Sequence, residues 1–152
     1  MKRTFFSLAL LLAVATLTAQ TKMTAREAAV KIADRILAST TYEFKNTKTG
    51  EIYKSVKKLP LDMDVKVACK YNNWHYTNGV TNMALMELGD KLGDKKYEKY
   101  VLKNMNFVFN EGNLDFFRKQ YDEAFKRDGW NAVRKLSWHM IFRGKRLDDN
   151  GP

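Results

Sequence analysis

The sequence predicts an all-α protein assembled from helical hairpins, and three observations carry that prediction. Apolar residues recur at the helical period in successive stretches. Turn signals divide the later stretches, at Leu92-Gly93-Asp94, Asn110-Glu111-Gly112-Asn113 and Asp128-Gly129. The resulting helix pairs return at about thirty residues, a spacing typical of α/α repeat architectures. A solenoid and a closed α/α barrel both satisfy that spacing, and the repeats share no obvious sequence.

The chain begins with a segment expected to be lost. Met1-Lys2-Arg3 is a short basic start, and the thirteen residues Phe5 to Leu17 are apolar except for Ser7 and Thr16. Ala13-Val14-Ala15 and Ala19 supply small residues for cleavage. This is the layout of a secretory signal peptide, read here as residues 1–19. A spanning helix needs ~20 apolar residues, so no membrane insertion is expected after cleavage. The protein is therefore expected in the periplasm or outside the cell.

The mature part opens with Thr24-Ala25-Arg26-Glu27, a capping box, and Ala29, Ile32, Ala33, Ile36 and Leu37 follow at helical spacing. A helix is predicted over about 24–39. Residues 40–73 carry little helical pattern. Tyr42-Glu43-Phe44 alternates and Asn46 to Gly50 is a turn cluster, so a long irregular segment with a short hairpin is expected. Long ordered segments of this kind are often functional.

Helical pattern returns after Asn78, with Val80, Met83, Ala84, Leu88 and Leu92 as the apolar stripe. Asp94 is placed to cap the next helix, whose stripe is Tyr97, Val101, Met105 and Val108. The tight turn between them makes an αα-hairpin. Leu114, Phe117, Tyr121 and Ala124 predict a third helix here, and Val133, Leu136, Met140 and Ile141 a fourth. Trp138 and Met140 read as core on that fourth helix, with His139 facing elsewhere. Asp148-Asp149-Asn150-Gly151-Pro152 then offers helix-opening residues with no helix behind them. A domain cut short after its first few helices is the expectation.

Charge and cysteine usage narrow the chemistry. The net charge of +10 would suit nucleic acid, anionic lipid or an acidic polymer. The lysines are scattered among acids, as in Asp94-Lys95-Lys96-Tyr97-Glu98-Lys99, which reads as solvated surface. Export argues against nucleic acid and leaves a polyanionic sugar. Cys69 is the single cysteine and reads as a small buried hydrophobe. One Cys with His75 and His139 builds no zinc site without carboxylates at matching spacing, so no metal is expected.

Two clusters could carry chemistry. Trp74-His75-Tyr76-Thr77-Asn78 concentrates aromatic rings, an imidazole and an amide where loop gives way to helix. Rings stack on the apolar faces of sugars while planar polar groups hold hydroxyls. The same residues also read structurally, with Trp74 in the core and Asn78 as the helix cap. Asp148 and Asp149 form the second cluster, fit either for acid/base work or for a helix cap beside a solvated charge.

Trp74-His75-Tyr76-Thr77-Asn78-Gly79-Val80-Thr81-Asn82-Met83-Ala84-Leu85, with Leu88-Gly89 and Tyr97 after it, resembles the first helical hairpin of the unsaturated rhamnogalacturonyl hydrolases, glycoside hydrolase family 105. Arg146-Leu147-Asp148-Asp149-Asn150-Gly151-Pro152 is similar to the opening of a later inward-facing helix of that family, and the likeness extends through Lys135 to Phe142. The resemblance implies an (α/α)6 barrel, of which residues 20–152 would be the N-terminal part. It implies action on oligosaccharides that carry a 4,5-unsaturated galacturonate at the non-reducing end. An acid protonates the enol-ether double bond, water adds at C5, and the resulting hemiketal opens to release the neighbouring sugar. The carboxylate-separation rule for displacement at an anomeric carbon does not apply to this route.

Carried over, Tyr76 matches a tyrosine beside the unsaturated ring, with Trp74 supporting it; His75 and Asn78, from the same cluster, are the further substrate-binding candidates. Asp149 matches the earlier of two active-site aspartates, which helps hold substrate and water, and Asp148 is the neighbouring register. The later aspartate, the main acid/base, is expected beyond Pro152. No cofactor is implied. The rival expectation is a non-catalytic helical-repeat module that binds carbohydrate or protein, and a basic protein docking on anionic surfaces is a third.

Overall fold

The computed structural model describes residues 23–143. The expected leader over residues 1–19 lies outside the described residues, as do Asp148 and Asp149. Among the described residues there are five α-helices and one three-stranded sheet. No helix among them is long and apolar enough to cross a membrane. The chain divides into two units within helix α1 (Ala25–Ser39), between Ile32 and Ala33.

In the first unit the capping box forms as read. The Thr24 N–H donates to Glu27 Oε2 at 2.8 Å, and the Glu27 N–H donates back to Thr24 Oγ1 at 3.2 Å. The Thr24 N–H bond, joined by one from the Thr24 hydroxyl to the same carboxylate oxygen at 2.9 Å, holds the Glu27 carboxyl below its usual range. The expected stripe is only partly buried: Ala29 and Ile32 are exposed.

In the second unit α1 continues with Ala33 buried beside half-buried Ile36 and Leu37. Residues 40–73, expected to be irregular with a short hairpin, hold an ordered antiparallel sheet. Its strands are β1 (Phe44–Asn46), β2 (Ile52–Tyr53) and β3 (Val65–Val67), in the order β2-β1-β3. The hairpin turns as the Asn46–Gly50 cluster predicts. Asn46 Oδ1 accepts from the N–H groups of Lys48 at 2.9 Å and Thr49 at 3.1 Å, and Gly50 closes the turn at φ +79°. The third strand was not foreseen. It pairs Val67 with Phe44, far away in sequence, and three residues are too few to show a period.

β3 lies at one edge of the sheet, and side chains satisfy its outer backbone groups. Gln120 Nε2 donates to the Val65 carbonyl at 2.9 Å and also to the Asp62 carbonyl. Ser137 Oγ accepts from the Val67 N–H at 3.0 Å.

The αα-hairpin consists of α2 (Tyr76–Leu92) and α3 (Lys96–Val108). Gly93 ends α2 in the left-handed region at φ +66°, and Asp94 Oδ1 accepts from the Lys96 N–H at 3.0 Å, as its capping role predicts. The stripe of α3 is buried or half-buried throughout. The stripe of α2 is a correction. Val80, Met83 and Ala84 are exposed, and Gly79, Asn82, Leu85 and Gly89 face inward, with Leu88 and Leu92 half-buried. Small residues on that face admit α3 closely: a Cβ at Gly89 would stand 3.4 Å from Tyr97 Cβ.

Helix α4 (Glu111–Val133) opens with Asn110 Oδ1 accepting from the Asn113 N–H at 3.2 Å. It breaks at Asp128 and Gly129, where the sequence signalled a break; Gly129 takes φ +52°, ψ −139°. The expected fourth helix is shortened to α5 (His139–Arg143). Trp138 is buried as predicted but precedes α5 in the left-handed region at φ +57°, an unusual conformation for a bulky residue. Its Nε1–H donates to the Asn72 carbonyl at 2.8 Å, and its ring lies 4.7 Å from that of Phe117, which fixes it there.

Three clusters form the core of this unit. Phe44, Val65, Trp74, Val108, Phe117 and Trp138 join the sheet to the helices. Ala33, Leu85, Tyr97, Tyr100 and Val101 fill the α1–α2–α3 contact, and Ala124, Val133 and Leu136 lie beside α4. Cys69 is buried and free, the small-hydrophobe role read for it.

Candidate functional site

The entry to α2 is built by the residues that the sequence offered as a sugar site. A 3-10 turn at Lys70–Asn72 leads into it. Asn78 reaches back from the first turn of α2, and its Nδ2 donates to the carbonyls of Lys70 at 2.8 Å and Asn73 at 2.6 Å. Asn78 is therefore a tether and not the helix cap that was its alternative reading. The cap is His75, whose Nδ1 accepts from the Thr77 N–H at 3.4 Å and pairs with Thr77 Oγ1 at 3.0 Å.

Trp74 belongs to the core. It is buried and meets the ring of Phe109 edge-on at 5.0 Å. Tyr76 stands apart from the other three, with 69% of its surface in solvent. The structure thus brings Trp74, His75, Tyr76 and Asn78 together at one helix entry and divides their roles. Trp74, His75 and Asn78 fix the backbone there; Tyr76 presents a ring from it.

Beneath this entry runs a polar seam that sequence reading missed. Asn72, Asn82 and Asn104 are buried, and Asn104 Nδ2 donates to the Tyr71 carbonyl at 3.1 Å and to Asn82 Oδ1 at 3.4 Å. These asparagines and Trp74 line a small cavity of about 10 Å³, enough for roughly one water molecule. Asn72 Oδ1, Asn104 Oδ1 and Trp74 Nε1 have no protein partner among the described residues. Asn82 was the available signal: an amide within a helix, three residues before the buried Leu85.

A second concave surface lies elsewhere in the same unit. Tyr121, Phe125, Trp130 and Arg143 line a groove of about 340 Å³. Phe125 and Trp130 are substantially exposed, and the Arg143 guanidinium lies 4.3 Å from the centre of the Trp130 ring. Its signal in the sequence was an aromatic on each side of the Asp128-Gly129 break, Phe125 and Trp130, neither of which falls on a helical stripe. A third, more open groove is lined by residues 61–64 with Glu123, Lys126 and Arg127, and carries both signs of charge.

No group of three or more His, Cys, Asp or Glu side chains able to hold a metal ion occurs among the described residues. No family model matches the chain, and no curated protein or solved structure matches it either.

Proposed function

We propose that this chain belongs to an exported glycoside hydrolase that removes a 4,5-unsaturated galacturonate from the non-reducing end of rhamnogalacturonan-derived oligosaccharides by hydrating the double bond. In this reading the α2–α3 hairpin is one of the repeats of an (α/α)6 barrel. The observation that carries it is Tyr76. Its neighbours Trp74, His75 and Asn78 are spent on holding the helix entry, so that an exposed ring projects from a fixed backbone. That is the requirement for a ring set beside a sugar. The resemblance of residues 74–85 and 146–152 to the hydrolase family supplies the reaction, and Asp149 the carboxylate that holds substrate and water.

The experiment uses the protein expressed from its complete reading frame. An unsaturated rhamnogalacturonan disaccharide is added and the ultraviolet absorbance of the conjugated enol ether is followed. The expected result is loss of absorbance, and persistence across several unsaturated uronides overturns the reading. Asp149→Asn should lower kcat by about 10²-fold with the fold intact; the same loss at Asp148→Asn alone would move the role by one residue. Tyr76→Ala should raise KM by about tenfold, equivalent to ~1.4 kcal/mol, and leave the melting temperature unchanged because the ring is so exposed.

A further inference from the structure

We propose that Asn72, Trp74 and Asn104 form a binding site for a single buried water molecule, and that this water ties the entry of α2 to α3 and to the 3-10 turn before it.

The three residues come from three segments. Asn72 ends the 3-10 turn, Trp74 lies two residues ahead of α2, and Asn104 lies within α3. They are 1%, 9% and 2% exposed and line the same cavity of about 10 Å³. Each brings one buried polar atom that no protein group satisfies among the described residues: Asn72 Oδ1, Trp74 Nε1 and Asn104 Oδ1. Neighbouring bonds set the role of each atom. The Asn72 amide nitrogen donates to the Thr41 carbonyl, and that of Asn104 donates to the Tyr71 carbonyl and to Asn82 Oδ1. Both Oδ1 atoms are therefore acceptors, and an indole nitrogen is only a donor.

Two acceptors and one donor around so small a space select the ligand. A metal cation would suit the two oxygens but would face the indole N–H. An anion would take the N–H but would face the two oxygens. Ammonium has no lone pair to offer the indole. Water donates to both oxygens and accepts from the N–H, the three bonds usual for a buried water, and the volume admits about one molecule. Left unsatisfied, the same three groups would oppose the packing of this entry.

The bonds then run unbroken from Thr41, ahead of β1, through Asn72 and the water to Asn104 in α3 and Asn82 in α2. Tyr76 follows Trp74 by two residues, so Asn72 and Asn104 act through the water as positioning residues for its ring. That consequence rests on the sugar-facing role proposed for Tyr76; the water site itself does not.

The test uses the protein expressed from its complete reading frame, with ¹⁵N in its tryptophans and the three indole signals assigned by single Trp→Phe substitutions. The Trp74 indole proton should cross-relax with water, with the sign of a water that tumbles with the protein. A high-resolution crystal structure should show one density peak within hydrogen-bond distance of all three atoms. Absence of the cross-relaxation or of the peak overturns the site, and neither measurement depends on a variant that might not fold. Trp74→Phe keeps a ring but removes the donor. It should speed hydrogen exchange about tenfold at the amides of Asn78 and Gly79, which donate to the His75 carbonyl, and leave Leu88 to Leu92 unchanged. No change at the entry, or equal acceleration along the whole helix, overturns the positioning role. None of these readings needs turnover, so a failed hydrolase assay leaves them intact, and their failure leaves the hydrolase reading standing.

Discussion

Asp34 accepts from the Lys96 ammonium at 2.9 Å and from the Tyr97 hydroxyl at 2.9 Å, tying α1 to the start of α3. The Lys96 bond, followed by that of Tyr97, lowers the Asp34 pKa, and the Asp34 bond correspondingly raises that of Lys96. A carboxyl with a depressed folded pKa contributes stability that is present above its unfolded value and lost as pH falls through the folded value. Asp34→Asn should therefore lower the chemical-denaturation midpoint at pH 7. The gap from the parent protein should close as pH drops below about 4, the unfolded range of an aspartate. A gap that stays constant down to acid pH would mean that the ion pair is not its source. At this scale the sequence was readable where both partners are close neighbours, as with Thr24 and Glu27. It was silent on Asp34 and Tyr97, which only the folded chain brings together. The entry cluster was visible as composition, but composition did not separate the exposed Tyr76 from the core Trp74, nor tether from cap at Asn78.

The α2–α3 hairpin shows what helical periodicity does and does not determine. Both helices and their turn follow from apolar spacing and from Gly93-Asp94. The inward face of α2 does not, because the close approach is made by Gly79, Asn82 and Gly89 interspersed with Leu85, and apolar spacing can mark only Leu85 among these. Gly89 is the critical contact: an added Cβ would lie 3.2 Å from the Asp94 carbonyl oxygen as well as against Tyr97. Gly89→Val should cost about 2 kcal/mol through overpacking, read as a lower thermal midpoint. Val80→Ala, on the exposed face of the same helix, should change it by less than about 0.5 kcal/mol. The short hairpin was signalled by the Asn46–Gly50 turn cluster, but the third strand was illegible for a different reason. It has three residues and pairs with a segment about twenty residues away. Neither leaves a local pattern. Likewise the Asp128-Gly129 break was visible as punctuation, while its effect on Trp130 requires the geometry on both sides.

For the second unit as a whole, the aromatic cluster around Phe117 unites sheet and helices. The Phe117 ring lies 5.7 Å from Phe44 on β1 and 4.7 Å from Trp138 before α5. Phe117→Ala should destabilise by about 3–5 kcal/mol. The loss should appear at once in the near-ultraviolet signal of the tryptophans and in the far-ultraviolet signal of the helices. Separate transitions would show that sheet and helices do not share one cooperative core. The helical class of the molecule could be read from its spacing, and so could most of the buried residues of α3 and α4. The third strand of the sheet that Phe117 packs against could not.

The side-chain bonds to β3 also bear on self-association. A bare strand edge is a template on which another chain can build. Here the Val65 carbonyl is occupied by Gln120 and the Val67 N–H by Ser137. The sheet therefore resists strand addition on its longer edge, and β2, two residues long, is a poor starting point on the other. Two ordinary polar residues from the helical half thus act as guards against fibrous growth. They guard β3, the one strand that no local pattern along the chain foretold.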